Sequence, residues 1–386
     1  MKRDKIYRLF LYAGFANLFF ERSIFVLYLL YKGLTISEVA IFQGLINVAM
    51  MVGEIPTGII SDNIGKKKGL LIGNAMMLGY YVCMLLSNNM GIFLVAAVLF
   101  GVGSTFISGT DEAYLYELIP SKEKSVKYLG QLSAVITCSV GIAMFLGGYI
   151  QKVKWEIVIL LGLAAQAVAI VVLLTMPDTG HNSEEEDVFK SIKLLSKEIK
   201  DKNLLRNIGI FLGLNVGVVS ASYILAQDLL SEYGMLTENV SIVFVLDTVI
   251  SVLVFSKIEG ILNRVGKIRS LILAVLITMI AFPCMNIHNA YVIAAIIIII
   301  SISNNYFSTV LMDDFNNQLE DTIRATGISC FNMVSALLMA LIFLMASKFE
   351  TKYIIFLSIM GVVSSISLLI FILSCKEQLK QNKQEI

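Results

Sequence analysis

Long apolar stretches alternate with short polar ones along almost the whole chain. An α-helix needs about 20 mostly apolar residues to cross the roughly 30 Å hydrocarbon core of a bilayer, and these stretches have that length. They are continuous and lack the short alternating pattern of membrane β-strands, so they predict helices. The predicted membrane spans lie at 7–31, 38–60, 69–87, 91–118, 126–150, 155–175, 207–231, 239–259, 268–287, 290–313, 324–347 and 352–375.

The longest polar interval between spans separates the first six from the last six. It contains DVFKSIKLLSKEI, whose apolar residues recur at helical spacing. We expect an amphipathic helix lying at the inner membrane surface, with a regulatory or partner-binding role as the alternative. The predicted divisions are an N-terminal six-helix bundle at 1–176, a cytoplasmic linker at 177–206, a C-terminal six-helix bundle at 207–375 and a cytoplasmic tail at 376–386.

Composition explains why these helices belong in a membrane. Of the 386 residues, 57% are hydrophobic and only 15% are charged, and the mean hydropathy is +0.80. A soluble domain is typically about half apolar and about a quarter charged. The net charge of +1 says nothing by itself about a nucleic-acid partner, and none is expected. Five cysteines without a CxxC pair beside two histidines provide no ligand set for zinc or haem. We therefore expect an integral membrane protein without a metal or cofactor.

The distribution of basic residues predicts the orientation in the bilayer. Most of the 30 lysines and arginines lie in polar segments that share one side of the membrane if the N-terminus is cytoplasmic. Cytoplasmic loops are enriched in these residues. We expect a multi-pass protein of the cell membrane, monomeric, with both termini in the cytoplasm.

The two halves of the chain resemble each other. DNIGKKK follows the second span, and NRVGKIR follows the eighth about 200 residues later, a period typical of transporters built from repeats. Likewise, ELIP follows the fourth span and NQLE follows the tenth. In such proteins the substrate site lies between the repeats.

The first of these turns carries a recognisable motif. GIISDNIGKKK, at residues 58–68, resembles the G-x-x-x-D-x-x-G-[RK]-[RK] signature of the major facilitator superfamily. GEIPTG and GTDEAYLYE resemble Gram-positive efflux-type members in particular. The resemblance covers essentially the whole chain and implies an all-α membrane protein with twelve transmembrane helices in two pseudo-symmetric six-helix bundles. It also implies a conformational latch, with a plain topology-setting turn as the alternative; the motif residues are Gly58, Asp62, Gly65, Lys66 and Lys67.

The latch requires acidic partners. Asp111, Glu112 and Glu117 lie towards the cytoplasmic end of the fourth span. The resemblance implies that Lys66 or Lys67 pairs with Glu117 or Asp111.

Gly58 is expected where two helices approach closely. At the equivalent end of the tenth span, Asp313 and Asp314 are expected to be solvated. Two exporter features are missing: the fourth span has no basic residue, and Met144 replaces the usual proline of the fifth.

Ionisable residues inside spans are costly and usually functional. Glu21 and Arg22 are adjacent within the first span, and Asn17 is expected on the same helical face as Glu21. In one interpretation Glu21 couples protons and Arg22 is its counter-ion or a substrate contact. In the other, both form fixed bridges with other spans. Asp247, in the middle of the eighth span, is the second proton-coupling candidate, and Asp228, near the outer end of the seventh, is the third.

Uncharged polar residues inside spans predict a cavity, although each could instead bond a neighbouring helix. These cavity candidates, together with Asn17, are Asn47, Gln131, Asn215, Asn304, Asn305 and Asn332.

The combined pattern predicts a secondary transporter that works by alternating access and exports amphiphilic small molecules, drugs among them, in exchange for protons. Its predicted partners are the small-molecule substrate, protons and the lipid bilayer. The alternatives are an importer of a sugar, amino acid or siderophore, a polytopic lipid enzyme, and a receptor that does not transport. GxSxG, HExxH and GxxxxGK[ST] motifs are absent from the sequence, so neither an enzyme nor an ATP-driven pump is expected.

Overall fold

Helices dominate the structure. The computed structural model describes residues 2–87, 89–119, 125–178, 188–320 and 323–381, and these residues contain α-helices and one short 3-10 helix but no strand. The predicted all-helical fold is confirmed. The helices are α1 Lys2–Ala16, α2 Phe25–Tyr31, α3 Ile36–Ile64, α4 Lys66–Leu86, α5 Met90–Ile107, α6 Thr110–Leu118, α7 Ser125–Ile150, α8 Trp155–Leu174, α9 Val188–Asp201, α10 Asn203–Glu232, α11 Thr237–Phe255, α12 Ile258–Val265, α13 Lys267–Cys284, α14 Ala290–Gln318, α15 Arg324–Ala346, α16 Tyr353–Ser374 and α17 Lys376–Gln381.

Nearly all of the predicted spans are present as long apolar helices. Within the described residues, eleven helical segments are long and apolar enough to cross a membrane, and they correspond to predicted spans two to twelve. The fourth predicted span consists of α5 followed by α6. With the first span added, the arrangement agrees with twelve spans.

The first span differs from its prediction because it is not one helix. α1 ends at Ala16 and α2 begins at Phe25, and the eight residues between them form turns. The prediction that Asn17 and Glu21 share a helical face is therefore wrong, since the helix ends before either residue. The Asn17 side-chain amide instead donates to the carbonyl of Ala13 at 2.9 Å.

The chain forms two compact units. The first contains residues 1–34, 45–184 and 237–245, and the second contains 35–44, 185–236 and 246–386. Residues 35–44, at the start of α3, group with the second unit, and residues 237–245, at the start of α11, group with the first. The division into bundles, linker and tail stays a prediction. Each unit has its own buried apolar core.

The same helix pairs pack together within each unit. In the first, α4 packs against α5 and α8, and α1 packs against α7 and α8. In the second, α13 packs against α14 and α16, and α10 packs against α15 and α16. When the helices are numbered as membrane spans, each of these pairs in the first unit has a counterpart in the second unit whose span numbers are six higher. The repeat inferred from the sequence is therefore also present in the helix packing.

A glycine turn precedes the third span of each half. Gly65 has φ 97° and ψ 142°, and Gly266 has φ 86° and ψ 145°. Residues with a Cβ rarely adopt positive φ, so both turns need glycine. Gly58 was expected at a close helix contact, and that prediction is wrong, since a Cβ there would meet no described atom within 4 Å. The close approach lies at Gly69, where a Cβ would be 2.4 Å from Ser61 Oγ.

The helix of the central linker packs on the second unit through its C-terminal part. Leu195 is buried in that unit's core, and Ile199 packs against it. Lys202, which follows α9, donates to the carbonyl of Gln318 at 2.6 Å and to the carboxylate of Glu198 at 2.8 Å. This end of the linker is therefore held by protein contacts. Its position at the membrane surface stays a prediction.

Candidate proton and solute site

The break in the first span contains a buried carboxylate. Glu21 is 3% exposed, and the hydroxyl of Tyr81 donates to its two oxygens at 3.0 and 3.1 Å. The hydroxyl of Tyr80 lies 3.5 Å from Glu21 Oε1. Both tyrosines come from α4 and are themselves buried. Glu21 therefore sits in a protein-lined site whose hydrogen-bond donors are neutral.

A cluster of aromatic rings packs beside this carboxylate. Tyr80 and Tyr81 meet edge to face with centroids 4.9 Å apart, and Tyr80 lies 5.0 Å from Phe100. Phe19, also in the break, lies 6.2 Å from Phe100. Such edge-to-face pairs pack apolar surface with defined geometry. The first unit thus places one carboxylate at the end of an aromatic cluster formed by Phe19, Tyr80, Tyr81 and Phe100.

Contacts from distant helices support the break. Non-helical backbone is tolerated at membrane depth only where other groups satisfy it. The Gln166 amide donates to the carbonyl of Ala16 at 2.8 Å, and Ser23 Oγ donates to the carbonyl of Met144 at 3.1 Å. The Gln166 bond satisfies a carbonyl at the end of α1, and the Ser23 bond ties the break to α7, so both support the departure of the first span from a helix.

Arg22 has different surroundings from its neighbour. Its side chain is exposed, whereas that of Glu21 is buried. The two neighbouring side chains therefore differ in burial, and the role of Arg22 as counter-ion or substrate contact remains a prediction.

The start of α11 belongs to the first unit and meets the same region. The hydroxyls of Ser23 and Ser241 are 2.7 Å apart, and Ser241 also donates to the carbonyl of Met144. Lys152 and Glu238 form an ion pair at 2.7 Å. One residue thus links the broken segment to α7 and to α11, since Ser23 bonds both.

The other two carboxylates predicted inside spans lie in the second unit. Asp247 is 5% exposed and accepts hydrogen bonds at Oδ2 from Tyr223 at 2.9 Å and Ser301 at 3.1 Å. Asp228 accepts a bond from the hydroxyl of Tyr353 at 2.7 Å and is partly exposed.

The latch motif does not have the expected ion pairs. Lys66 pairs with Asp62 one turn earlier, and Lys67 donates to the carbonyls of Leu174 at 3.2 Å and Met176 at 2.5 Å. The turn at Gly65 directs α4 so that Lys67 meets the end of α8. Among the described residues, no ion pair joins either lysine to the acidic side chains of the fourth span, which are Asp111, Glu112 and Glu117. The latch role itself stays a prediction.

In the second copy of the motif, a lysine forms an ion pair with an acidic residue of another span, as was expected for the first copy. Lys267, which follows Gly266, pairs with Asp314 at the end of α14. The expectation that Asp314 is solvated is wrong, because its side chain is 1% exposed and α13 covers it. Asp313 is exposed as expected.

Replacing these two equivalent lysines should have unequal effects. Breaking a buried ion pair typically costs about 3–5 kcal/mol, whereas an exposed pair contributes about 0–1 kcal/mol. Lys267→Met should therefore lower the unfolding temperature of the purified protein clearly more than Lys66→Met, since the Asp62 side chain is 62% exposed. Equal effects of the two substitutions would contradict this assignment.

The uncharged cavity candidates beyond Asn17 fall into three groups. The Asn215 amide donates to Ser364 at 3.2 Å, and that of Asn305 donates to Ser251 at 3.4 Å, so both link helices inside the second unit. The exposed group consists of Gln131 and Asn332, and the buried remainder of Asn47 and Asn304.

Sequence reasoning missed the residues that hold the carboxylates. The predicted site residues do not include Tyr80, Tyr81, Ser23, Tyr223 or Ser301. The available signals were the YY pair in the third span and the SISNN run in the tenth, since hydroxyl groups in an apolar helix usually have a partner.

Comparison with known proteins identifies the family. Residues 10–344 match the Major Facilitator Superfamily, so the chain belongs to that family. It is 30% identical over 148 residues to Sugar transporter ERD6-like 6 of Arabidopsis thaliana, covering 38% of this chain and 29% of that protein. It is 25% identical over 264 residues to an uncharacterized MFS-type transporter of Methanocaldococcus jannaschii, covering 66% of each. The chain therefore matches less than two thirds of the length of these relatives.

A solved structure agrees in fold. The nucleoside transporter NupG superposes with a TM-score of 0.81 at 11% identity, covering 96% of this chain and 100% of that one. At that identity the likeness establishes the fold alone.

Proposed function

We propose that the protein is a proton-coupled secondary transporter in which Glu21 carries the coupled proton. The observation that supports this most directly is a buried carboxylate at the break in the first span, bonded by the Tyr81 hydroxyl. Ionised groups within a membrane span are costly unless they are paired or reach a water-filled path. Binding a proton removes that cost.

Proton binding at this position can bias the transport cycle. A ligand shifts a conformational equilibrium only by its different affinity for the two states. A carboxylate that contacts water in one state and is enclosed by protein in the other has a different proton affinity in each state. Because Ser23 lies two residues from Glu21 and bonds both Met144 and Ser241, loading of Glu21 is connected to the helices around the break.

For the solute, we propose an amphiphilic small molecule, drugs among them, moved outwards. The aromatic cluster around Phe100 provides apolar contact surface beside Glu21. The motifs GEIPTG and GTDEAYLYE resemble efflux-type members. We further propose a monomer in the cell membrane with cytoplasmic termini, and a latch at the first motif.

Uptake of a sugar is the second candidate. It is supported by the similarity to the plant relative, which is named a sugar transporter. Hydroxyl and amide groups would bind such a solute, and the second unit has several within its helices, including Asn305 and Ser251.

Transport in proteoliposomes tests both candidates. The purified protein is reconstituted with an imposed pH gradient of either sign, and radiolabelled hydrophobic cations, sugars and amino acids are compared. We expect accumulation of an amphiphilic compound that reverses direction with the gradient. Sugar accumulation would favour the second candidate, and flux that ignores the pH gradient would contradict proton coupling.

A further inference from the structure

We propose that Asp247, with the hydroxyl oxygens of Tyr223 and Ser301, forms a sodium-binding site inside the second unit. The proposal concerns a different unit from Glu21 and does not depend on which solute is carried.

The carboxylate of Asp247 is half satisfied. Its Oδ2 accepts two hydroxyl hydrogen bonds, while Oδ1 is buried and has no hydrogen-bond partner among the described residues. No lysine, arginine or histidine of the described chain forms an ion pair with it. A buried charge without a partner is strongly unfavourable, so the site lacks a positive charge that something else must provide.

A cation would meet this deficit. Oδ1 is the oxygen that a cation would contact, because it is buried and has no hydrogen-bond partner among the described residues, whereas Oδ2 already accepts two bonds. A cation beside Oδ1 would neutralise the charge and satisfy the unpaired oxygen together. A bound proton is the competing occupant, and the experiment below distinguishes it from a metal cation.

The surrounding atoms are suited to a small hard cation. Two successive contacts join α11 to α14, Asp247 with Ser301 and Ser251 with Asn305. Asn304 adds a further buried side-chain oxygen that has no partner among the described residues. Hydroxyl and carboxylate oxygens are the ligands that hard cations prefer, and no described thiol or imidazole takes part. A single carboxylate balances a monovalent ion, which points to sodium.

A small cavity lies beside the site. Val219, Ser222 and Tyr223 of α10, with Met285 and two isoleucines of α14, line a cavity of about 10 Å³, roughly the space of one water molecule. Tyr223 borders this cavity with its side chain and bonds Asp247 through its hydroxyl. The cavity is therefore adjacent to the proposed ligands.

Thermal unfolding tests the site without a transport assay. The purified full chain in detergent is titrated with NaCl at constant pH, and choline chloride keeps the ionic strength constant. A ligand that binds only the folded state raises the unfolding temperature, and we expect a saturable rise of about 2 °C or more. KCl and choline chloride should give no such rise, and equilibrium binding of radioactive sodium should approach one ion per chain.

Variants assign the effect to the site. Asp247→Asn, which preserves shape, should abolish the sodium-dependent rise, and Ser301→Ala should weaken it. Asp313→Asn removes an exposed carboxylate from the same helix as Ser301 and should leave the rise unchanged. An absent sodium-specific rise in the unsubstituted protein would overturn the proposal. So would a rise that persists in Asp247→Asn, or stabilisation on acidification alone with no bound sodium.

Discussion

Gly147→Ala is expected to prevent most of the protein from reaching its folded state. A Cβ at Gly147 would lie 1.8 Å from the carbonyl oxygen of Phe20 and 2.7 Å from its carbonyl carbon. These are backbone atoms of the broken first span, so no side-chain rotation relieves the overlap. Overpacking typically costs about 1–3 kcal/mol and occasionally more. The break is also tied to α7 through Ser23 and to α8 through Gln166, and these bonds oppose its displacement.

The measurement is the yield of monodisperse protein and its unfolding temperature. Gly141→Ala is the matched control, since Gly141 lies on the same helix and its Cβ would meet no described atom within 4 Å. We expect normal yield for the control and a severe loss for Gly147→Ala. Similar behaviour of the two variants would show that the break does not pack against α7 as described.

Glu21→Gln is expected to abolish transport driven by a pH gradient while preserving exchange of solute. Glutamine keeps the shape of the side chain and can still accept a bond from Tyr81, but its amide does not bind a proton near neutral pH. We expect at least about a tenfold loss of pH-driven accumulation, which corresponds to about 1.4 kcal/mol of coupling free energy. Solute counterflow, which needs no net proton movement, should continue.

The control for this variant is Glu259→Gln, which changes an exposed carboxylate of α12. It should retain both pH-driven accumulation and counterflow. If Glu21→Gln accumulates solute as well as this control, Glu21 has a structural role only. If it loses both activities, the residue is needed for folding or solute binding, which its unfolding temperature and a binding measurement would separate.

Much of the fold follows from local properties of the sequence. Span lengths follow from the thickness of the bilayer, and the turns at Gly65 and Gly266 follow from a backbone conformation that needs glycine. The helix break does not follow in this way. It depends on Gln166 and Met144, which lie far along the chain, and no local pattern contains those contacts.

The candidate site was predictable to a similar extent. Glu21 and Asp247 were identified because a carboxylate inside an apolar span has few structural explanations. Their tyrosine and serine partners were not, since the same residue types also face lipid or pack between helices. Acidic partners in the fourth span were expected for Lys66 and Lys67 from the family resemblance. The direction in which α4 leaves the turn instead places Lys66 beside Asp62 and Lys67 beside the end of α8. Lys267 shows that equivalent turns can place equivalent lysines in different surroundings.

Solute-driven proton movement is the most direct test of the central claim. Proteoliposomes that enclose a pH-sensitive dye receive a gradient of the transported solute, with no imposed pH difference. We predict that the unsubstituted protein moves protons as solute flows, that Glu259→Gln does the same, and that Glu21→Gln moves solute without protons. Proton movement in Glu21→Gln at the rate of the unsubstituted protein would contradict the assignment of the coupled proton to Glu21.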